Sequence, residues 1–263
     1  MKRRPKLKPY KISRGSFEEQ QLREDNHMQT QRALLIILPV VMVAILLVGI
    51  YFGYMNYRRE SEGVRTVEHS ATAPEPTEAN PMLLTVVTSA YPLSQDDVPA
   101  LTDFGAIRVA PEMTESLTDL LSAAHDAGYE ITAEEGYISF TEQSERYQKA
   151  VEAYQKSAKV SLVKAEASVR STTPRGGESE QQTGFVVSLN AETEGAFEDS
   201  AAYAWLIKNC TAYGFILRYP SAENTGGLKF SPHLFRYVGA ENAYYITAYD
   251  MTFDAYVAYL SAQ

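Results

Sequence analysis

An uncharged run of 22 residues, Ala33–Tyr54 (ALLIILPVVMVAILLVGIYFGY), constrains this chain more than any other stretch. About 20 consecutive apolar residues suffice to cross a bilayer. Tyr51 and Tyr54 fall where an aromatic belt belongs. The run therefore predicts a transmembrane helix over 33–54, with Pro39 in its second turn, where a kink is tolerated in lipid. It starts too late and runs too long for a cleaved signal peptide, and no small-x-small cleavage site follows it directly. Nine lysines and arginines precede the run, while only Arg58, Arg59 and Arg65 follow closely. That asymmetry predicts a cytoplasmic N-terminus and an extracytoplasmic C-terminal part.

The run divides the chain into four parts. Residues 1–32 form a basic, Pro-containing tail without hydrophobic periodicity, which either meets anionic lipid headgroups or only sets topology. Residues 55–79 are rich in Pro, Glu, Thr and Ala and read as a semi-extended linker. Residues 80–263 have the composition of one globular domain. Charge follows the same division. Residues 1–65 carry 12 Lys/Arg against 6 Asp/Glu, and the remainder 12 against 27. Phosphate would repel so acidic a domain, which argues against nucleic acid as a partner.

Within the domain, Met82–Thr88 reads as an opening strand. Glu112–Ala127 repeats apolar residues at helical spacing and ends at Gly128. Tyr129–Thr132 is a short strand, Thr141–Val160 a long amphipathic helix, and Ala167–Glu180 a turn-rich loop. Gly184–Asn190, Phe215–Tyr219 and Phe235–Val238 read as further strands, and Asp199–Tyr213 as a helix stopped by Gly214. Glu241–Ala248 and Thr252–Ala262 read as closing helices, with Thr252 as N-cap. Strands and helices interleave irregularly. The expected class is α+β, a small antiparallel sheet flanked by helices and preceded by one transmembrane helix.

Chemistry-bearing residues are sparse. Cys210 is the single cysteine, and its helical setting suits a buried thiol, with an intermolecular bridge as the other option. His27, His69, His125 and His233 lie on separate segments and form no His-x-x-x-His or His/Cys cluster. His125, with Asp126 beside it, sits on a helix where a surface or packing role is commoner than catalysis. Ser161 and Lys164 have the Ser-x-x-Lys spacing of penicillin-binding proteins, but the companion motifs are missing.

Two segments carry more information. Ser179–Leu189 reads SEQQTGFVVSL and Phe230–Gly239 reads FSPHLFRYVG. Both resemble the metal-binding segments of the VanY-type D-alanyl-D-alanine carboxypeptidases, zinc peptidases that trim bacterial cell-wall stem peptides. Scaffold letters agree: Ser179, Gln182, Thr183, Gly184 and Val187, then Pro232, Phe235, Arg236, Tyr237, Val238 and Gly239. Gly136-Tyr137-Ile138-Ser139 with Gln143, Tyr213–Pro220 and Met251–Tyr256 extend the similarity in order across residues 80–263.

The resemblance also implies where the chemistry should be, and there the letters differ. The family's first zinc histidine falls on Gln181, its zinc aspartate on Ser188, its second zinc histidine on Leu234 and its general-base glutamate on Ser231. The arginine that holds the substrate carboxylate falls on Ile138, which cannot make paired charge-assisted hydrogen bonds. No catalytic residue, metal site or cofactor is therefore expected, although zinc serves the active family. By family position, Tyr137, Ser139, Gln143, Ser179, Thr183 and Arg236 would line the remaining cleft. The implied reading is an inactive, membrane-anchored domain that binds a peptidoglycan stem peptide or a cell-wall protein partner. The alternative is an active D-alanyl-D-alanine carboxypeptidase with a rearranged site.

Overall fold

The computed structural model describes residues 42, 45–51, 82–220 and 228–262. The chain forms two compact units, Met1–Arg58 and Arg59–Gln263. In the first, Met42 and residues 45–51 are helical, with their apolar side chains exposed. The rest of the expected span, the basic tail and the linker lie outside the described residues. Among the described residues, no helix is long and apolar enough to cross a membrane.

The second unit is α+β. A hairpin of β1 (Thr102–Phe104) and β2 (Ile107–Val109) precedes α1 (Thr114–Asp126). A second, four-stranded sheet holds β3 (Ile131–Glu135), β4 (Val186–Ala191), β5 (Phe215–Tyr219) and β6 (Ser231–Tyr237). Its order is β3-β4-β6-β5, with every pair antiparallel. Helices α2 (Phe140–Ala158) and α3 (Leu162–Val169) lie between β3 and β4 in sequence, and α4 (Ala201–Asn209) between β4 and β5. Helices α5 (Ala240–Ala248) and α6 (Phe253–Ser261) follow β6.

Side chains alternate across a strand, so each strand supplies two faces. Val187, Leu189, Phe215 and Phe235 turn one face into a core with Leu117 and Leu120 of α1 and Trp205 and Leu206 of α4. Residues of the other parity, Val186, Ser188, Arg218, Leu234 and Arg236, belong to the opposite face, where the candidate site lies. Helices α2 and α3 share a smaller core through Tyr147, Val151, Ala165 and Val169. Helices α5 and α6 pack on Ile216 and Val238.

Helix starts follow the capping rule that a Ser or Thr oxygen accepts a free backbone N–H of the first turn. Ser139, Ser161, Ser200 and Thr252 accept from the N–H of Glu142, Lys164, Tyr203 and Ala255, respectively. The Ser161 and Lys164 spacing is thus a helix cap. His125 is a surface residue, its Nδ1 2.8 Å from a Glu130 carboxylate oxygen. Cys210 is buried, and burial pushes its thiol up to about 12.

Three expectations need correction. Met82–Thr88 is not a strand: the carbonyls of Met82, Leu83 and Thr85 all accept from Nη2 of Arg236, at 3.0, 3.0 and 3.1 Å. A strand would send successive carbonyls in opposite directions, so the segment wraps one guanidinium instead. The loop expected over Ala167–Glu180 begins later, because α3 runs to Val169. The strand expected over Phe235–Val238 begins at Ser231. A register shift between Leu217 and Tyr219 of β5 accommodates the extra residues around Pro232, which has no N–H for a ladder.

Candidate functional site

Beneath the sheet's second face is a buried ionic cluster. Arg218 donates to both oxygens of Glu180, Nε to Oε2 at 2.6 Å and Nη2 to Oε1 at 2.7 Å. Arg236 donates Nη1 to Oε2 of the same carboxylate at 2.7 Å. Arg218 also meets Asp254 of α6, Nη1 lying 2.8 Å from Oδ2. Phe253 lies under both guanidinium groups. Burial alone would raise the Glu180 carboxyl, but the two arginines outweigh it and hold the group below its ordinary value. One carboxylate thus joins the turn after Ser179, strands β5 and β6, α6 and the segment 82–87. Such a cluster fixes geometry more surely than it adds stability.

Above it opens a cleft of about 410 Å³. Its walls are β6 (Ser231, Leu234), the start of α2 (Gln143, Arg146), the loop Ser171–Pro174 and the turn at Ser179–Gln181. Glu180 and Tyr219 form part of the floor. Hydroxyl and amide side chains make up half of the lining; Pro174, Val186, Leu228, Phe230 and Leu234 add apolar surface, and Arg146, Glu180 and Lys229 add charge.

The four positions where the resemblance puts chemistry come together. Gln181, Ser231 and Leu234 line the cleft, and Ser188 is paired directly with Leu234 across β4 and β6. Zinc needs about four donors, three of them usually imidazole, thiolate or carboxylate from protein. Gln181 offers a neutral amide whose Nε2 already donates to the Gly136 carbonyl at 3.3 Å. Ser188 offers a neutral hydroxyl and Leu234 nothing. This donor set does not fit zinc. Among the described residues, no three His, Cys, Asp or Glu side chains come together as a metal site.

The six expected lining residues divide. Gln143 and Ser179 line the cleft. Gln143 is also tied to the loop wall, donating Nε2 to the Pro174 carbonyl at 2.7 Å. Arg236 is not a lining residue: it is fully buried in the ionic cluster. Thr183 is buried as well, donating to the Glu180 carbonyl and accepting from the Phe185 N–H. Ser139 serves as the cap of α2. Tyr137 donates its backbone N–H to the Arg108 carbonyl at 2.7 Å, and the Arg108 guanidinium covers its ring at 5.2 Å. His233 turns away from the cleft and stacks on Phe197, as alternation along β6 requires.

Two charged residues escaped the sequence reading. The β3–β4 register shifts between Ala133 and Glu135, so that Glu135 instead of Glu134 stands opposite Ser188. A bulge of this kind re-aims a side chain. Arg146 of α2 donates Nη1 to both Glu135 oxygens, at 3.0 and 3.2 Å, and Nη2 to Glu142 at 3.2 Å. The only sequence signal was the dipeptide Glu134-Glu135 in a strand just before Gly136.

With this geometry established, similarity decides the family. A model of the VanY family, D-alanyl-D-alanine carboxypeptidase, matches residues 106–240, more than half of the chain. The chain belongs to this family. A D-alanyl-D-alanine carboxypeptidase of Enterococcus faecalis is 36% identical over 140 residues, 52% of this chain and 49% of that protein. The chain thus spans about half the length of that curated relative. A crystallised VanY mutant, a vancomycin-resistance D,D-pentapeptidase in complex with Zn(II), shares 28% identity at a TM-score of 0.61, covering 67% of this chain and 99% of that one. A VanY-type structure in complex with D-alanine-D-alanine shares 27% identity at 0.61, covering 66% and 97%.

Proposed function

We propose that this chain is a membrane-anchored, extracytoplasmic VanY-type domain that binds a D-alanine-terminated stem peptide of the cell wall, or a cell-wall protein, without cleaving it. The observation that carries the reading is the donor set: Gln181, Ser188 and Leu234 meet around a cleft of family form and offer no zinc site. Hydrolysis in such a fold needs metal-activated water and a general base, and Ser231, a neutral hydroxyl, is a poor base near neutral pH. The cleft itself persists, and the hydroxyls and amides that make up half of its lining suit a peptide backbone. A relative in complex with D-alanine-D-alanine supports this ligand class. The apolar run and its flanking charges support the anchor, as does the exposed apolar helix at residues 45–51.

A second reading, an active carboxypeptidase with a rearranged site, draws on Glu135, which the bulge brings beside Ser188, and on the relatives' names. One experiment separates the two. The full chain is incubated with a D-Ala-D-Ala-terminated pentapeptide, with and without zinc, while calorimetry follows binding and mass spectrometry follows release of D-alanine. Saturable binding without release is expected. It should weaken about tenfold, the equivalent of roughly 1.4 kcal/mol, when Ser231→Arg fills the cleft. Zinc-dependent release of D-alanine would overturn the proposal.

A further inference from the structure

The far end of α2 has an unusual composition for this domain. Helix α2 ends at Ala158, Lys159 turns the chain in the left-handed region with φ 51°, and Ser161 caps α3. Val160 folds inward onto the small α2–α3 core. The next two residues do the opposite. Leu162 and Val163 are 52% and 76% exposed, and Tyr154 on the preceding turn is 39% exposed. Lys156, Lys159 and Lys164 flank them in sequence, all exposed, and residues 153–165 contain no acidic side chain. Of the nearby carboxylates, Glu145 pairs with Lys149 and Glu166 with Arg175, while Glu152 lies one helical turn before Lys156, outside this lysine-rich stretch. The rest of the domain is strongly acidic: residues 66–263 hold 27 Asp/Glu against 12 Lys/Arg.

Apolar side chains flanked by lysine match the chemistry of an anionic bilayer surface, whose phosphates attract ammonium groups and whose acyl boundary takes up Leu and Val. A soluble polyanion would satisfy the lysines and leave Leu162 and Val163 in water. We propose that the α2–α3 turn is a membrane-contact tip: Leu162 and Val163 enter the headgroup–acyl boundary while Lys156, Lys159 and Lys164 meet lipid phosphates. The inference draws on the proposed anchor for one thing only, a high local lipid concentration. The chain between Tyr54 and Met82 is 27 residues, a length that reaches at most about 95 Å in any conformation. Docking would also set the height of the cleft. Arg146 lies 12 residues before the end of α2, so a helix rise of 1.5 Å per residue puts the cleft at most about 20 Å above the tip.

The test uses the full chain carrying Val163→Cys and Cys210→Ala, labelled with an environment-sensitive fluorophore. It is reconstituted into phosphatidylcholine vesicles with or without phosphatidylglycerol. A label at Val98→Cys, 61% exposed in the native chain, is the control. The expected result is a blue shift at position 163, with quenching by nitroxide lipids, that strengthens with phosphatidylglycerol. Each of Lys156→Gln, Lys159→Gln and Lys164→Gln should weaken partitioning about fivefold. Emission at 163 that matches the control in both vesicle types would overturn the proposal. So would an equal shift with dextran sulfate in the absence of vesicles, which would make the lysines a polyanion site. An alkaline carbonate wash reports the anchor separately: a chain that washes off after showing the shift keeps the tip and loses the anchor.

Discussion

Ser188 of β4 stands directly opposite Leu234 of β6, so the two positions that would carry a zinc aspartate and a zinc histidine share one cross-strand pair. Glu135 stands opposite Ser188 on its other side. The three form a row across the sheet with one carboxylate, and Arg146 neutralises it. A second carboxylate in that row would face like charge across the strands, in a site whose donors do not suit a bridging metal. The neutral hydroxyl of Ser188 removes that conflict.

Restoring only one member should therefore do harm. Ser188→Asp puts like charges opposite each other on β3 and β4, at a cost of about 1 kcal/mol. The urea midpoint should fall accordingly, and less in 1 M salt than at low ionic strength.

Glu180 is the fulcrum of the fold. Glu180→Gln leaves Arg218 and Arg236 buried without their carboxylate and should cost about 3–5 kcal/mol. The group's value is depressed in the folded state. Its contribution is therefore complete above the ordinary 4.5 and is lost as pH falls through the lower, folded value. The melting temperature of the native chain should hold steady down to about pH 5 and drop below 4.5, with a shallower acid drop in Glu180→Gln.

Ser139 should behave as a cap. Ser139→Ala should lose about 1 kcal/mol of stability and leave peptide binding unchanged, whereas a lining residue would show the reverse. Thermal melts and calorimetric titration of the same variant distinguish these outcomes.

The sequence carried most of the architecture, because apolar periodicity, caps and stops are local signals. The strand Phe215–Tyr219 and the cap Thr252 emerge where periodicity and chemistry put them. Met82–Thr88 misled because MLLTVVT has strand composition, while its carbonyls answer to Arg236, over 150 residues away. Arg236 read as a cleft residue by family position for the same reason: nothing local reveals that Glu180 and three carbonyls surround it. A hint was present. Arginine inside the apolar strands FILRY and FRYV has to find a buried partner. The bulge that brings Glu135 to Ser188 leaves no mark in the sequence beyond the pair Glu134-Glu135 before Gly136.

The most direct measurement is a calorimetric zinc titration of the native chain beside the triple variant Gln181→His, Ser188→Asp, Leu234→His. The native chain is expected to bind no stoichiometric zinc, and the triple variant to bind one ion, because the backbone that would present three donors is intact. Useful hydrolysis should still require Ser231→Glu for the base and Ile138→Arg for the substrate carboxylate. Stoichiometric zinc in the native chain, or a folded triple variant that binds zinc no better than the native chain, would contradict the account.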